Sequence, residues 1–176
     1  LIDAMGGTIS VQSTPDAGTG ITFTLPFKIN DNVAAHPEHA QAALQAKGSL
    51  SGKRVLLVED NDLNMEIAEF YLDHAGAAVV KAWNGKEGVR MFANSKPGTI
   101  SLILMDLMMP VMDGYEATRA IRALDHPDAS TVPIIAMTAN AFDEDRKKSK
   151  AAGMNAHLAK PLDMQALLSA AGRFCR

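Results

Sequence analysis

The chain has 176 residues, of which 47% are hydrophobic and 21% are charged, and its formal net charge is −3. This composition is that of an ordinary globular chain, and it excludes a disordered tail, a collagen-like fibre and a coiled-coil rod. The charge provides no basic field for nucleic acid, and no apolar run is long enough to cross a membrane, so we expect contact with neither. The single cysteine, Cys175, excludes a disulfide framework and a cysteine-rich zinc site.

Residues 1–28 predict a β-hairpin with one buried face. Apolar and polar residues alternate at 8–11 and 21–25, on either side of a glycine-containing turn at 15–20. Two strands alone bury too little surface to be stable in water, so we expect this segment to be the edge of a domain whose remainder is missing. The start at Leu1, without a signal-peptide pattern, likewise predicts a piece of a longer protein.

Residues 29–52 are rich in Ala, Gln, His and Asn and end in a run with Gly and Ser, which predicts a linker. Residues 40–46 favour a short helix in this linker, but its apolar side is mostly alanine and would pack weakly. We therefore place a domain boundary at residue 53.

From residue 53 onward, short apolar runs alternate with stretches of helical periodicity. The predicted strands lie at 55–58, 77–80, 100–105, 133–137 and 156–158, and the predicted helices at 63–71, 86–92, 114–124, 146–152 and 164–173. Continuous apolar strands between helices indicate a parallel sheet that is buried on both faces. Five such units predict an α/β fold with a doubly wound, flavodoxin-like sheet of order 2-1-3-4-5, since a barrel needs a longer chain.

Acidic residues follow two neighbouring strands of this predicted sheet. Glu59 and Asp60 come after the first strand, and Asp106 comes after the third. Three carboxylates at one edge repel one another unless a cation lies between them, and oxygen ligands without Cys or His suit Mg²⁺. We expect Asp60 and Asp106 to bind the ion directly and Glu59 to act through water. The backbone carbonyl of Met108 would complete the protein ligands.

A single acid after a strand has a simpler interpretation, because it often caps the following helix. That interpretation applies to Asp60, Asp62 or Asp113 taken alone. It does not account for the whole set, since Thr138 ends the fourth predicted strand and Lys160 follows the fifth.

The set as a whole predicts a site for a phosphoryl group. Asp106 would attack as the nucleophile and form an aspartyl phosphate. The metal ion and Lys160 would balance the charge of the phosphoryl oxygens, and Thr138 would hydrogen-bond one of them.

Four segments resemble the signatures of response-regulator receiver domains, above all of receivers attached to hybrid sensor histidine kinases. They are residues 58–61 (VEDN), 105–114 (MDLMMPVMDG), 137–141 (MTANA) and 159–161 (AKP). The resemblance implies a phosphoacceptor at Asp106 and an acidic pair at Glu59 and Asp60. It also implies a switch hydroxyl at Thr138 and a phosphate-sensing lysine at Lys160.

His157 departs from the receiver pattern. Many receivers have a Tyr or Phe switch three residues before the lysine, and this chain has His157 there. An imidazole could fill the same groove as an aromatic ring, although a single histidine on a strand is more often a packed or surface residue.

The beginning of the chain, up to residue 26, resembles the end of the ATP-binding domain of histidine kinases. The asparagine helix and most of the glycine-rich boxes that hold ATP in that family are not in this chain, so we expect no ATP binding. The expected organisation is a remnant of that domain at 1–28, a linker at 29–52 and a receiver domain at 53–176.

The resemblance implies phosphorelay signalling. The chain would accept a phosphoryl group from the phosphohistidine of a histidine kinase onto Asp106, with Mg²⁺, and pass it to a histidine phosphotransfer protein or lose it to water. The parent protein would be a histidine kinase, and this part of it would lie in the cytoplasm.

Two other classes share parts of this pattern. A metal-dependent phosphatase of the haloacid-dehalogenase type also uses an aspartyl nucleophile, but it has a second acid two residues later, where this chain has Met108. A flavin-binding module of the same fold would need a phosphate loop after the first strand, where Glu59 and Asp60 would repel phosphate.

Met108 and Asn140 lie two positions after Asp106 and Thr138, beside the path of an attacking water. A thioether cannot hold water as an amide or a carboxylate would. We therefore predict slow loss of the phosphoryl group to water.

Overall fold

The computed structural model describes residues 2–15, 18–27, 49–139 and 143–175, and for residues 143–145 it describes the backbone alone. The chain divides into two compact units, Leu1–His36 and Pro37–Arg176. The helix predicted at 40–46 lies outside the described residues, as does most of the predicted linker.

The first unit contains the predicted hairpin. A short 3-10 helix, Asp3–Met5, precedes strands β1 (Thr8–Thr14) and β2 (Gly18–Thr24), which pair antiparallel. Its apolar side chains share one face, because Ile9 lies opposite Phe23 and Val11 opposite Ile21. The expected burial of that face is not observed, since all four side chains are more than half exposed. A two-stranded sheet has no second layer of its own to pack against.

The second unit is the predicted α/β fold. Its elements are β3 (Arg54–Val58), α1 (Asp62–His74), β4 (Ala78–Ala82), α2 (Gly85–Ala93), β5 (Leu102–Asp106), α3 (Gly114–Arg122), β6 (Ile134–Thr138), α4 (Asp143–Ala152), β7 (Ala156–Ala159) and α5 (Met164–Phe174). All neighbouring strands are parallel, and their order is β4-β3-β5-β6-β7. This is the predicted order 2-1-3-4-5.

The sheet is buried between two layers of helices, which is why its strands are apolar on both faces. Alternate residues of β3 point to opposite layers. Val55 and Leu57 belong to a core with residues of α1 and α5, whereas Leu56 and Val58 belong to a core with residues of α2 and α3. None of the helices in the described part of the chain has the length and apolar character that a bilayer crossing demands.

Polar side chains cap the helices that follow strands β3 and β5. Asn61 caps α1 by accepting a hydrogen bond from the backbone N–H of Asn64 at 3.1 Å. This corrects the interpretation of Asp60 or Asp62 as the cap, since the cap is the amide between them. Asp113 caps α3 as expected, accepting from the N–H of Glu116 at 2.7 Å.

Candidate functional site

The polar residues predicted at strand ends come together at one edge of the sheet. Glu59 and Asp60 follow β3, Asp106 ends β5, Thr138 ends β6 and Lys160 follows β7. Strands β3, β5, β6 and β7 lie side by side, so their carboxyl ends meet. The structure therefore brings together the residues that the sequence predicted at this edge, and their roles stay predictions.

The three acids form a cluster that could hold a divalent ion. One carboxylate oxygen from each of Glu59, Asp60 and Asp106 lies within 4.8 Å of the other two. Glu59 and Asp106 are buried, being 1% and 5% exposed, while Asp60 is exposed. The donors are all oxygens, which suit Mg²⁺, and the exposed Asp60 leaves the cluster open to solvent. These residues fit the ion that the sequence predicted.

The side chain of Lys160 lies between the two buried acids. Its Nζ donates to Asp106 Oδ2 at 2.8 Å and to Glu59 Oε1 at 2.9 Å, and it lies 2.6 Å from Glu59 Oε2. A backbone hydrogen bond from Lys160 N–H to the carbonyl of Thr138, at 2.7 Å, ties the β7 end to β6. The ammonium therefore offsets two buried negative charges.

Burial and pairing act in opposite directions on the ionisable groups of this cluster. Burial raises the pKa of Glu59 above 4.5, and the charge of Asp106 adds to this, although hydrogen bonds from Lys160 and Asn64 oppose it. Burial lowers the pKa of Lys160, but hydrogen bonds to Asp106 and Glu59 and their charges outweigh it, so this pKa is raised overall. Lys160 is therefore held as a cation.

The loop after β5 shapes the surroundings of Asp106. The backbone N–H of Met108 donates to Asp106 Oδ1 at 3.2 Å, while Met108 as a whole is 78% exposed. Gly114 N–H donates to the carbonyl of Leu107 at 3.1 Å, and a Cβ added at Gly114 would collide with the carbonyl oxygen of Asp106. The sequence did not predict this hydrogen bond from Met108 to Asp106. That the backbone carbonyl of Met108 binds the metal ion stays a prediction.

A family comparison agrees with this geometry. The sequence model of the response regulator receiver domain matches residues 55–172. The chain belongs to the response regulator receiver domain family.

Two curated relatives show the setting in which such receivers occur. The peroxide stress-activated histidine kinase mak1 of Schizosaccharomyces pombe is 42% identical over 66% of this chain and 7% of its own length. The aerobic respiration control sensor protein ArcB of Escherichia coli is 34% identical over 97% of this chain and 21% of its own length. The chain therefore spans only a small part of these relatives.

Two solved structures resemble the second unit. The receiver domain of the sensor histidine kinase PA1611 from Pseudomonas aeruginosa, with a magnesium ion in its active-site cleft, is 41% identical with a TM-score of 0.64. It covers 71% of this chain and 98% of that one. The second is the Saccharomyces cerevisiae complex of the histidine phosphotransfer protein Ypd1 with the receiver of Ssk1. The match has 32% sequence identity and a TM-score of 0.61, and it covers 70% of this chain and 88% of the matched chain.

The two residues predicted as switches lie in different surroundings in this receiver. Thr138 is buried at the carboxyl end of β6, next to β5 and β7. His157 lies on β7, where its Nε2 accepts a hydrogen bond from Arg146 Nε of α4 at 2.9 Å. Burial lowers the pKa of His157, and the positive charge of Arg146 lowers it further. His157 is therefore held neutral against α4.

The sequence analysis missed Asn64, which the structure places against the acidic cluster. Its side-chain Nδ2 donates to Glu59 Oε1 at 2.9 Å. The only available signal was the position of a polar residue in the first turn of the helix that follows Glu59 and Asp60. That signal does not distinguish Asn64 from an ordinary exposed residue of a helix start.

Proposed function

We propose that this receiver takes a phosphoryl group from the phosphohistidine of a histidine kinase onto Asp106 and passes it to a histidine phosphotransfer protein or to water. The observation that supports this most directly is the position of Lys160 Nζ, within 2.9 Å of Asp106 and Glu59 at the carboxyl edge of the sheet. An ammonium there can balance an oxygen-rich phosphoryl group on the carboxylate that it already contacts.

The proposed roles follow from the chemistry of each group. A carboxylate oxygen of Asp106 attacks phosphorus, the P–N bond of the phosphohistidine breaks, and the imidazole leaves with the electron pair. Lys160 and Thr138 donate to the phosphoryl oxygens. Glu59, Asp60, Asp106 and the carbonyl of Met108 are the residues that would hold Mg²⁺, which supplies charge neutralisation when bound. The magnesium-containing receiver of PA1611 supports this assignment.

We further propose that an apolar surface beside the site receives the partner. Leu63 and Phe70 of α1 are both more than 60% exposed, and Ile67 lies between them at helical spacing. Met108 and Val111, on the loop after β5, are each more than three-quarters exposed. A histidine phosphotransfer protein could cover these side chains while its histidine reaches Asp106, and the complex of the Ssk1 receiver with Ypd1 supports such a partner.

The domain boundaries remain part of this proposal. We assign residues 1–28 to the end of a kinase ATP-binding domain, 29–52 to a linker and 53–176 to the receiver. The alignment with ArcB over 97% of the chain supports continuity with a sensor protein. A donor kinase needs ATP, so we place the receiver in the cytoplasm.

Intact mass spectrometry after incubation with acetyl phosphate and Mg²⁺ tests the function. The wild type should gain one phosphoryl group, and Asp106→Asn, which keeps the shape but removes the nucleophile, should gain none. Equal labelling of the two proteins, or no labelling of the wild type, would contradict the proposal. Sustained release of phosphate from small phosphate esters would instead favour the phosphatase. The exposed Met108 does not favour that class, because a thioether cannot act as its second acid.

The lifetime of the aspartyl phosphate gives a further prediction. Because the Met108 side chain is exposed and cannot orient water, Met108→Asn should shorten the lifetime, and Met108→Leu, which also lacks a polar group, should not. Both lifetimes are measured from the decay of the phosphorylated mass after acetyl phosphate is removed. Equal decay of Met108→Asn and the wild type would count against this account.

A further inference from the structure

We infer that Asn64 is a positioning residue of the phosphoryl-transfer site, holding the Glu59 carboxylate in place for the divalent ion. This inference rests on the proposed function for its purpose, and on the geometry around Glu59 for its evidence. The side-chain Nδ2 of Asn64 donates to Glu59 Oε1 at 2.9 Å, and Glu59 is 1% exposed.

Hydrogen bonds hold the backbone of Asn64 in place, so its side-chain amide extends from a fixed position. Its N–H donates to Asn61 Oδ1 at 3.1 Å, and the next N–H, that of Met65, donates to the carbonyl of Asn61 at 2.9 Å. These bonds form the first turn of α1, and Met65 is buried in the core beneath it. A side chain that starts from this fixed turn can set the position of the group that it contacts.

Two donors of different charge share the Glu59 carboxylate. Lys160 Nζ and Asn64 Nδ2 each lie 2.9 Å from Oε1, and Lys160 also lies 2.6 Å from Oε2. Lys160 also donates to Asp106, so a shift of Lys160 towards Asp106 would release Glu59 if no other donor held it. Because the amide of Asn64 is neutral, it holds the carboxylate without adding a positive charge that would repel Mg²⁺.

Isothermal titration of Mg²⁺ into the full chain tests the inference. Asn64→Leu keeps the approximate shape and removes the donor, and Mg²⁺ should bind about tenfold more weakly, as is typical when a partner of a metal ligand is lost. Asn94→Leu is the matched control. Asn94 directly follows helix α2, and its side-chain amide donates to the carbonyl of Arg90 in that helix. This contact lies outside the acidic cluster, so the Mg²⁺ affinity of Asn94→Leu should equal that of the wild type.

A double-mutant cycle separates positioning from a general effect on α1. If Asn64 acts through Glu59, Asn64→Leu should have no further effect on Mg²⁺ binding in a Glu59→Ala background. An equal loss in both backgrounds would overturn the inference. If Glu59→Ala binds Mg²⁺ too weakly to measure, NMR spectra recorded without added Mg²⁺ test the inference. The side-chain amide resonances of Asn64 are identified by their absence from the spectrum of Asn64→Leu. They should move between the wild type and Glu59→Ala, and unmoved resonances would overturn the inference.

The labelling experiment with acetyl phosphate keeps the two claims apart. If the wild type is not labelled but Asn64→Leu weakens Mg²⁺ binding, the phosphoacceptor function fails and the positioning role stands. If Asp106 is labelled but Asn64→Leu binds Mg²⁺ as the wild type does, the positioning role fails and the function stands.

Discussion

The ammonium of Lys160 contacts two carboxylates that water hardly reaches. The side chains of Lys160, Glu59 and Asp106 are 15%, 1% and 7% exposed. Two acids this close are tolerated because one ammonium contacts both. The same arrangement makes the site sensitive to any change of charge at these three positions.

Replacing Lys160 should therefore cost far more stability than replacing an exposed lysine. Lys160→Met leaves two buried acids without a cation and should lower the free energy of unfolding by about 3 kcal/mol. Lys81→Met is the matched control, because Lys81 pairs with Glu69 at 2.9 Å where both side chains are partly exposed, and it should cost less than about 1 kcal/mol. Urea denaturation in EDTA measures both, and equal costs would contradict the account.

The raised pKa of Glu59 predicts the direction of a pH dependence. Because the folded protein binds this proton more tightly than the unfolded chain, whose value is near 4.5, the contribution of Glu59 to stability falls as pH rises from 4.5 through the folded-state pKa. Glu59→Gln lacks this group, so its stability relative to the wild type should increase with pH across that window. Denaturation in EDTA at several pH values measures the difference, and a constant difference would refute the prediction.

The loop between β5 and α3 depends on the absence of a side chain at Gly114. A Cβ there would collide with the carbonyl oxygen of Asp106 and lie 3.0 Å from the Cα of Leu107. Both contacts are with backbone, which cannot rotate away as a flexible side chain would. The close approach of the α3 N-terminus to the end of β5 therefore requires glycine.

Two glycine substitutions test this requirement. Gly114→Ala should lower the free energy of unfolding by about 1–3 kcal/mol, as overpacking does, and should slow labelling of Asp106. Gly172→Ala, in α5 with no atom within 4 Å of the added Cβ, should raise it by about 0.5–1 kcal/mol. The measurements are urea denaturation and labelling with acetyl phosphate. Unchanged labelling in a folded Gly114→Ala protein would show that the loop tolerates the shift.

Most elements were predictable because their signals are local. The strands of the sheet lie within one or two residues of the apolar runs at 55–58, 100–105 and 133–137. The end of α3 was placed at residue 124, but the helix ends at Arg122. There the guanidinium donates to the carbonyls of Ala129 and Gly153 at 2.7 and 2.9 Å, contacts that helical periodicity does not report. Helix ends were predicted less accurately than strands, since α1 also extends to His74 and not to residue 71.

At the scale of the whole molecule, the chain consists of two units with different degrees of burial. The hairpin exposes Ile9, Val11, Ile21 and Phe23, whereas the second unit has two buried cores of its own. A unit that buries its own apolar residues supplies its own stability. The second unit should therefore fold without the first.

A fragment of residues 49–176 tests that independence. We expect its thermal unfolding midpoint and its Mg²⁺ affinity to match those of the full chain, because the sheet, both cores and the acidic cluster lie within it. Differential scanning calorimetry and titration measure the two quantities. A clearly lower midpoint for the fragment would mean that residues 1–48 stabilise the second unit.

The sequence by itself determined the order of the strands and the set of residues at their carboxyl ends. Alternating apolar strands and helices lead to a parallel sheet, and a parallel sheet brings every strand end to one edge. This reasoning predicts one shared edge for five residues, and the structure places them there: Glu59, Asp60, Asp106, Thr138 and Lys160.

Only the tertiary structure decided which side chains support that set. The hydrogen bond from Asn64 to Glu59 depends on the angle at which α1 leaves β3, and that from Arg146 to His157 depends on how α4 packs beside β7. These geometries arise when whole elements pack together, and the packing is settled by side-chain shapes across the core. A pattern of residue types along the chain does not contain that information, because it records spacing and not direction.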